Sequence, residues 1–246
     1  MEKIELISYS KKNNYNLGQL ELDYYQHYIL SKLFNKFNFI YFKGGTCLQK
    51  CYGIKRFSED LDFNYTQDDI NEIIKFIEET FDEKIFDIYE TEFGISFSIK
   101  FKGILYNGDN RSMCKISFDF RLNDKYMPEI KKIIRPIYND LPSYFLLALN
   151  EEEILAEKVR AIITRYKARD VYDLNELLLN DIKINLKLIN QKLKTYNKTF
   201  NLKEFQEKIE EKRTIFDEEM KKLTNIFDNF DNCKNNIIEE FQKINK

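Results

Sequence analysis

The sequence of 246 residues contains no tryptophan, a single histidine, seven glycines, three prolines and four cysteines. Because His27 is the only histidine, a zinc site built from several histidines is excluded, and any histidine-based catalysis would depend on this one residue. His27 lies among tyrosines in an apolar helical pattern, so we interpret it as a packing or surface residue. The cysteines include no CxxC pair, which favours reduced thiols and a cytoplasmic protein.

Long hydrophobic runs and an excess of positive charge are also missing. No run approaches the roughly 18 apolar residues that span a bilayer, and the N-terminus has no apolar signal region, so we expect no membrane insertion or secretion. Lys and Arg number 39 against 41 Asp and Glu, a net charge of −2, so any contact with a polynucleotide must be local. With 43% hydrophobic residues, the chain has enough apolar surface to fold as a soluble protein.

The first part of the chain alternates between helical and strand patterns. Apolar residues at helical spacing predict an amphipathic helix over 20–37, and a β-prone run predicts a strand over 39–42. Gly44 and Gly45 follow, where the backbone can turn sharply into a short helix over 46–52.

The next segment brings two acidic residues together. Residues 60–65 alternate polar and apolar, which predicts a strand with Asp60 and Asp62 on one face. Thr66 and Asp69 resemble a capping pair that opens a helix extending to about residue 81.

Two further strands are indicated by strict alternation over 95–101 and 116–120, with a turn at 107–110 between them. The polar face of the second strand carries Asp119. This strand could neighbour the one that carries the two earlier aspartates.

From Asn150, an N-cap candidate with Glu153 three residues later, the pattern is helical almost throughout. The tail keeps periodic apolar positions and indicates a helical bundle. We place a boundary near 142–150, with a first domain over 1–145 and a helical domain over 146–246. The predicted fold class is α+β, with a mixed sheet flanked by helices and followed by the bundle.

Two of these segments together indicate nucleotide chemistry. Backbone N–H groups at Gly44 and Gly45 can approach phosphate at a helix N-terminus, where the helix dipole favours an anion. Asp60 and Asp62 supply hard oxygen ligands of the kind that hold Mg²⁺ against phosphates, and Asp119 offers a third. Taken separately, the glycines fit a plain turn and the aspartates a solvated strand face; their combination favours a site.

The same residues resemble a known family. KGGT, a short helix and then RFSEDLDF are similar to the first signature of the AbiEii/AbiGii toxin family, within the DNA polymerase β-like nucleotidyltransferase superfamily. EILAEKVRA, then Arg165 and RDVYDL, are similar to its second signature. The resemblance runs from about residue 20 to residue 179 and includes nothing beyond residue 183.

The resemblance implies transfer of a nucleotidyl group from a nucleoside triphosphate (NTP), with one or two Mg²⁺ ions. Asp60, Asp62 and Asp119 would hold the metal and act as the catalytic carboxylates, with Asp124 as the alternative third acid. Lys158 would neutralise charge on the β- and γ-phosphates. The remaining residues assigned to nucleotide binding are Lys43, Gly44, Gly45, Thr46, Arg56, Ser58, Arg165, Asp170 and Asp173.

Several of these assignments have a structural alternative. Lys158 and Arg165 share one helix face, where they could pair with Asp170 or Asp173 instead of meeting phosphate. Arg56 could likewise contact phosphate or fix the turn before the strand.

At the level of function, the resemblance implies a toxin of a type IV toxin–antitoxin or abortive-infection system, with a cognate antitoxin encoded nearby. An RNA acceptor, the 3′ end of tRNA, is then expected, together with a local basic patch in the region after Asn150. Two alternatives remain open at this stage. One is transfer to a small hydroxylated molecule such as an aminoglycoside-like compound, and the other is a non-catalytic NTP-binding interaction protein.

Overall fold

The computed structural model describes residues 1–10, 15–66 and 70–244. By their internal contacts, the residues form two compact units. The first comprises Met1–Gly53, Phe57–Asp124 and Glu129–Ala148. The second comprises Ile54–Arg56, Lys125–Pro128 and Leu149–Lys246. We expected the break near residue 145. The contacts divide the chain after Ala148 and assign two short earlier segments to the second unit.

The first unit is built on a mixed sheet, which confirms the predicted α+β class. Its strands in the described residues are β1 (Ile40–Lys43), β2 (Leu61–Tyr65), β3 (Phe86–Thr91), β4 (Gly94–Phe101), β5 (Cys114–Leu122), β6 (Ile130–Ile134) and β7 (Tyr144–Ala148). The strand order is β3-β4-β5-β2-β1-β7-β6. The pairs β2–β5 and β1–β7 are parallel and the other neighbours are antiparallel.

Four helices accompany this sheet among the described residues: α1 (Lys3–Ser10), α2 (Leu17–Lys36), α3 (Gly44–Tyr52) and α4 (Ile70–Phe81). A capping box between Asn16 and Gln19 begins α2, which confirms the helix expected over 20–37. The helix expected after residue 66 is α4, but Asp69 of the predicted capping pair lies outside the described residues.

Alternation along the strands separates the sheet into an apolar and a polar face. On the apolar face, the rings of Phe63 and Phe120 stack with centroids 4.8 Å apart, and those of Phe97 and Phe118 lie 5.3 Å apart. Helix α2 covers this face at β7, where the Tyr144 hydroxyl lies 2.8 Å from His27 Nδ1. His27 is therefore buried in the core, in line with a packing role.

The second unit is helical, with α5 (Glu151–Thr164), α6 (Arg169–Leu179), α7 (Leu186–Lys194), α8 (Leu202–Glu210), α9 (Arg213–Leu223) and α10 (Phe230–Lys243) among the described residues. The periodic positions of the tail are buried as expected at Phe205, Ile209, Phe216 and Met220. Throughout the described ranges, no helix is long and apolar enough to cross a membrane.

The segment 142–150, where we expected the domain boundary, contains β7, which pairs with both β1 and β6, and the division after Ala148 lies within this segment. One local expectation needs correction. Asn150 does cap α5, but Glu153 does not complete a capping box. Its carboxylate instead accepts hydrogen bonds from the backbone N–H groups of Tyr126 and Met127, at 2.9 and 2.8 Å. Lys192 Nζ lies 2.8 Å from the same carboxylate and compensates its buried charge.

Candidate active site

The sheet places two of the predicted carboxylates side by side. Asp62 on β2 is the register partner of Asp119 on β5, and the strands are parallel. Neighbouring strands lie about 4.8 Å apart, and both residues belong to the polar face, so their carboxylates share one patch of surface. Both side chains are half-buried, and Arg121 Nε donates to Asp119 Oδ1 at 3.0 Å. The two acids therefore offer adjacent oxygen ligands.

Asp60 lies outside the strand in which we expected it. Strand β2 begins at Leu61, so Asp60 precedes it and is exposed. The Thr46 hydroxyl donates to the Asp60 backbone carbonyl at 2.5 Å, which ties this segment to the first turn of α3. The hydroxyl of Thr46 thus positions the acidic segment in this structure.

The two glycines lie where β1 runs directly into α3. Gly44 adopts φ +73°, and a Cβ placed on it would lie 1.9 Å from Oδ2 of Asp62. Only glycine fits this position, because of both its backbone conformation and the neighbouring carboxylate. The absence of a side chain lets the Asp62 carboxylate approach the N-terminus of α3, where backbone N–H groups favour an anion.

Lys43 extends the row of polar residues onto β1, as the register partner of Asp62. Its Nζ lies 3.8 Å from Oδ2 of Asp124, whose carbonyl accepts a hydrogen bond of 2.7 Å from Asn64 Nδ2. Asp124 is thus placed against Lys43, whereas Asp119 is aligned with Asp62. This arrangement favours Asp119 over Asp124 as the predicted third acid.

No three Asp, Glu, His or Cys side chains are grouped closely enough to hold a metal ion in the part of the chain that the structure describes. The donor set formed by Asp62 and Asp119 still fits a hard cation, because carboxylate oxygens are the ligands that Mg²⁺ prefers and the metal completes its shell with water and phosphate oxygens. The full set with Asp60 stays a prediction.

The predicted residues of the second unit form a buried charge cluster. Lys158 Nζ lies 3.1 Å from Asp170 Oδ1 and 2.7 Å from Asp173 Oδ2. Arg165 binds both oxygens of Asp170, with Nε and Nη2 at 2.7 and 2.8 Å. Arg56 binds both oxygens of Asp173, at 2.5 and 2.7 Å. Each acid therefore has its own bidentate arginine, and Lys158 is the surplus cation of these five groups.

Burial and charge act in opposite directions on this cluster. Burial alone would raise the pKa of Asp170, but Lys158 and Arg165 outweigh it and the pKa is lowered. The pKa of Asp173 is lowered in the same way, with Arg56 as the main opposing charge. Both acids are therefore ionised at neutral pH. The side chain of Arg165 is 48% exposed, against 6% for Lys158, so Arg165 is the more accessible cation.

Sequence reasoning named most of these residues but missed others. It did not anticipate Gln26, whose Nε2 donates to the carbonyls of Ser58 and Glu59 at 3.0 and 2.8 Å. It also missed the buried Asn64, which could have been noticed because it follows Asp62 by two residues on the same strand face. The backbone N–H of Ser58 donates to Gln49 Oε1. The role in phosphate binding that the sequence suggested for Ser58 stays a prediction.

The mixed sheet thus carries paired carboxylates beside a glycine-led helix. Residues 26–236 match the family described as nucleotidyl transferase AbiEii toxin, type IV toxin–antitoxin system. The chain belongs to this family, and it is a nucleotidyltransferase toxin.

Solved structures share the fold. MenT4, a nucleotidyltransferase toxin from Mycobacterium tuberculosis H37Rv, is similar with a TM-score of 0.68 and 20% identity, over 100% of this chain and 90% of that one. JHP933 from Helicobacter pylori is similar with a TM-score of 0.59 and 20% identity, over 92% of this chain and 91% of that one. A search of curated proteins finds no match.

Proposed function

We propose that this toxin transfers a nucleoside monophosphate from an NTP to the 3′ end of an RNA acceptor, a tRNA, in a Mg²⁺-dependent reaction. The observation that carries the proposal is the alignment of Asp62 with Asp119 on one sheet face, beside the N-terminus of α3. This arrangement supplies carboxylates for a metal and backbone donors for phosphate within one unit of the protein.

In this proposal the acceptor's 3′-hydroxyl oxygen attacks the α-phosphorus of the NTP. The bond from that phosphorus to the bridging oxygen breaks, pyrophosphate leaves, and Asp119 receives the hydroxyl proton. Asp62, Asp119 and Asp60 would hold Mg²⁺, which when bound supplies positive charge against the reacting oxygens. Backbone N–H groups at Gly44 and Gly45 bind the triphosphate.

The charge cluster of the second unit carries a net positive charge. Asp170 and Asp173 are each neutralised by a bidentate arginine, so the ammonium of Lys158 leaves an excess of one positive charge among these five groups. We assign that excess to the β- and γ-phosphates. The carboxylates of the cluster then hold Lys158 in place.

The same proposal includes a cognate antitoxin and a cytoplasmic location. Membership of a type IV toxin–antitoxin family supports both. Neither is needed for the chemistry of the site.

Incubation of the purified chain with α-³²P-labelled NTPs, Mg²⁺ and total RNA tests the proposal. We expect label in the tRNA band, and no label when EDTA replaces Mg²⁺. A parallel reaction with aminoglycosides in place of RNA tests the small-molecule alternative. Label on the aminoglycoside alone, or on no acceptor, would contradict the RNA proposal.

A further inference from the structure

An enzyme that transfers a nucleotide to RNA and has a net charge of −2 needs a local surface that binds the RNA. One edge of the sheet carries suitable residues. Strand β6 has the sequence IKKII, with two lysines and no acid, and it forms one edge of the sheet. Arg135 follows the strand directly and is exposed. The opposite edge strand, β3, has the sequence FDIYET and carries acids instead.

This basic edge also carries exposed apolar and aromatic surface. Phe145 on β7 is the register partner of Ile133 on β6, and they are 55% and 52% exposed. The ammonium of Lys131 lies 4.5 Å from the centroid of the Phe145 ring. A flat ring beside cations provides stacking for an unpaired base and charge for the adjacent phosphate.

The edge faces the same way as the carboxylates. Phe42 on β1 is in register with Ala148 on β7, and both are buried on the apolar face. By alternation, Lys43 and Phe145 then belong to the polar face, together with Asp62. Strand β6 lies three strands from β2 in the sheet order, or about 14 Å at the usual strand spacing.

We infer that Lys131, Ile133, Arg135 and Phe145 form the surface that binds the unpaired 3′ end of the RNA acceptor. This inference rests on the proposed function. It locates an RNA-binding surface in the first unit, in addition to the basic patch that the sequence led us to expect after Asn150. Lys131 and Arg135 bind phosphate, and the ring of Phe145 stacks on a base. The positive charge of the strand favours RNA over a basic protein partner.

Binding of fluorescent bulk tRNA at several salt concentrations tests the inference on the full chain. Lys131→Gln should weaken binding and reduce the slope of log affinity against log salt by about one, because one phosphate contact is lost. Phe145→Ala should weaken binding by about tenfold with the slope unchanged, because stacking is lost but no charge.

Two control variants have matched chemistry elsewhere on the first unit. Lys75→Gln removes an exposed lysine from α4, and Tyr89→Ala removes an exposed ring from the acidic edge strand β3. Both should bind tRNA as the wild type does. Melting temperatures of all four variants should match that of the wild type, because every substituted side chain is exposed.

The outcomes separate the inference from the proposed function. If the wild type transfers label to tRNA but Lys131→Gln and Phe145→Ala bind it unchanged, the surface is wrong and the proposed function stands. If the two variants lose only the binding of a co-expressed protein, the surface is a protein interface and the inference is overturned. If the wild type binds tRNA and transfers label to no RNA, the proposed function fails and the inference falls with it.

Discussion

Replacement of Gly44 by alanine should displace one of the two aligned carboxylates. The added Cβ would lie 1.9 Å from Oδ2 and 2.7 Å from Cγ of Asp62, and real Cβ contacts essentially never fall below 3.0 Å. The Asp62 carboxylate must therefore move by about 1 Å or more. A misplacement of about 1 Å at a reacting centre can cost about 100-fold in rate.

The same variant also strains the backbone, and this effect has a matched control. Gly44 and Gly53 adopt φ +73° and +75°, but a Cβ on Gly53 meets no atom within 4 Å. Each alanine should cost about 1–2 kcal/mol for a left-handed conformation, or about 2–8 °C in Tm for a chain of this size. Only Gly44→Ala adds the displacement of Asp62.

The assay is the initial rate of nucleotide transfer at saturating NTP, with the Tm of each variant measured by calorimetry. We expect Gly44→Ala to lose about 100-fold in rate. Gly53→Ala should keep the wild-type rate, although its backbone strain should lower the Tm by about as much as the backbone strain in Gly44→Ala does. Equal rates in the two variants would refute the reasoning. So would a Gly44→Ala variant that transfers as fast as the wild type.

Three further predictions concern buried ionisable residues. Asp173→Asn should lower the free energy of unfolding by about 3–5 kcal/mol, because Arg56 is left buried without its anion. Urea denaturation measures this loss, and a loss below about 1 kcal/mol would contradict a stabilising Arg56–Asp173 pair. Lys158→Met should lower the free energy of unfolding much less, because Asp170 and Asp173 each keep an arginine partner. The same variant should raise the KM for NTP, and an unchanged KM would contradict a role of Lys158 in nucleotide binding. Burial lowers the pKa of His27 to about 3, below its value in the unfolded chain. The unfolded chain therefore takes up a proton below about pH 6.5 while the folded protein does not, so the free energy of unfolding falls as the pH falls. From pH 7 to pH 5 the wild type should lose about 2 kcal/mol more stability than His27→Gln, and identical pH profiles would contradict a neutral buried His27.

The fold was predictable where the sequence pattern is strong. Alternation over five or more residues indicated the strands that became β2, β4 and β5, and helical periodicity indicated α2 and the helices after Asn150. Strands β3, β6 and β7 were missed. The first two are edge strands with exposed residues, and β7 is a short apolar run beside Pro142, so none has the alternation of a half-buried strand.

The candidate site was predictable in its residue types but not in its register. The alignment of Asp62 with Asp119 depends on a parallel pairing that no local pattern specifies. The pairing of Arg56 with Asp173 joins residues 117 positions apart, so its partner could not be chosen from sequence. The use of Glu153 was equally hidden, because a carboxylate three residues after an N-cap normally indicates a capping box.

The most direct test of the central claim is the rate of nucleotide transfer to tRNA by Asp62→Asn and Asp119→Asn variants, at saturating NTP and Mg²⁺. Each substitution keeps the size of the side chain and removes one negative charge from a half-buried position, so the fold should be retained. The account predicts that both variants lose at least about 100-fold in rate with wild-type Tm, because a metal ligand is lost. Wild-type rates in both variants would contradict the assignment of this sheet face as the active site.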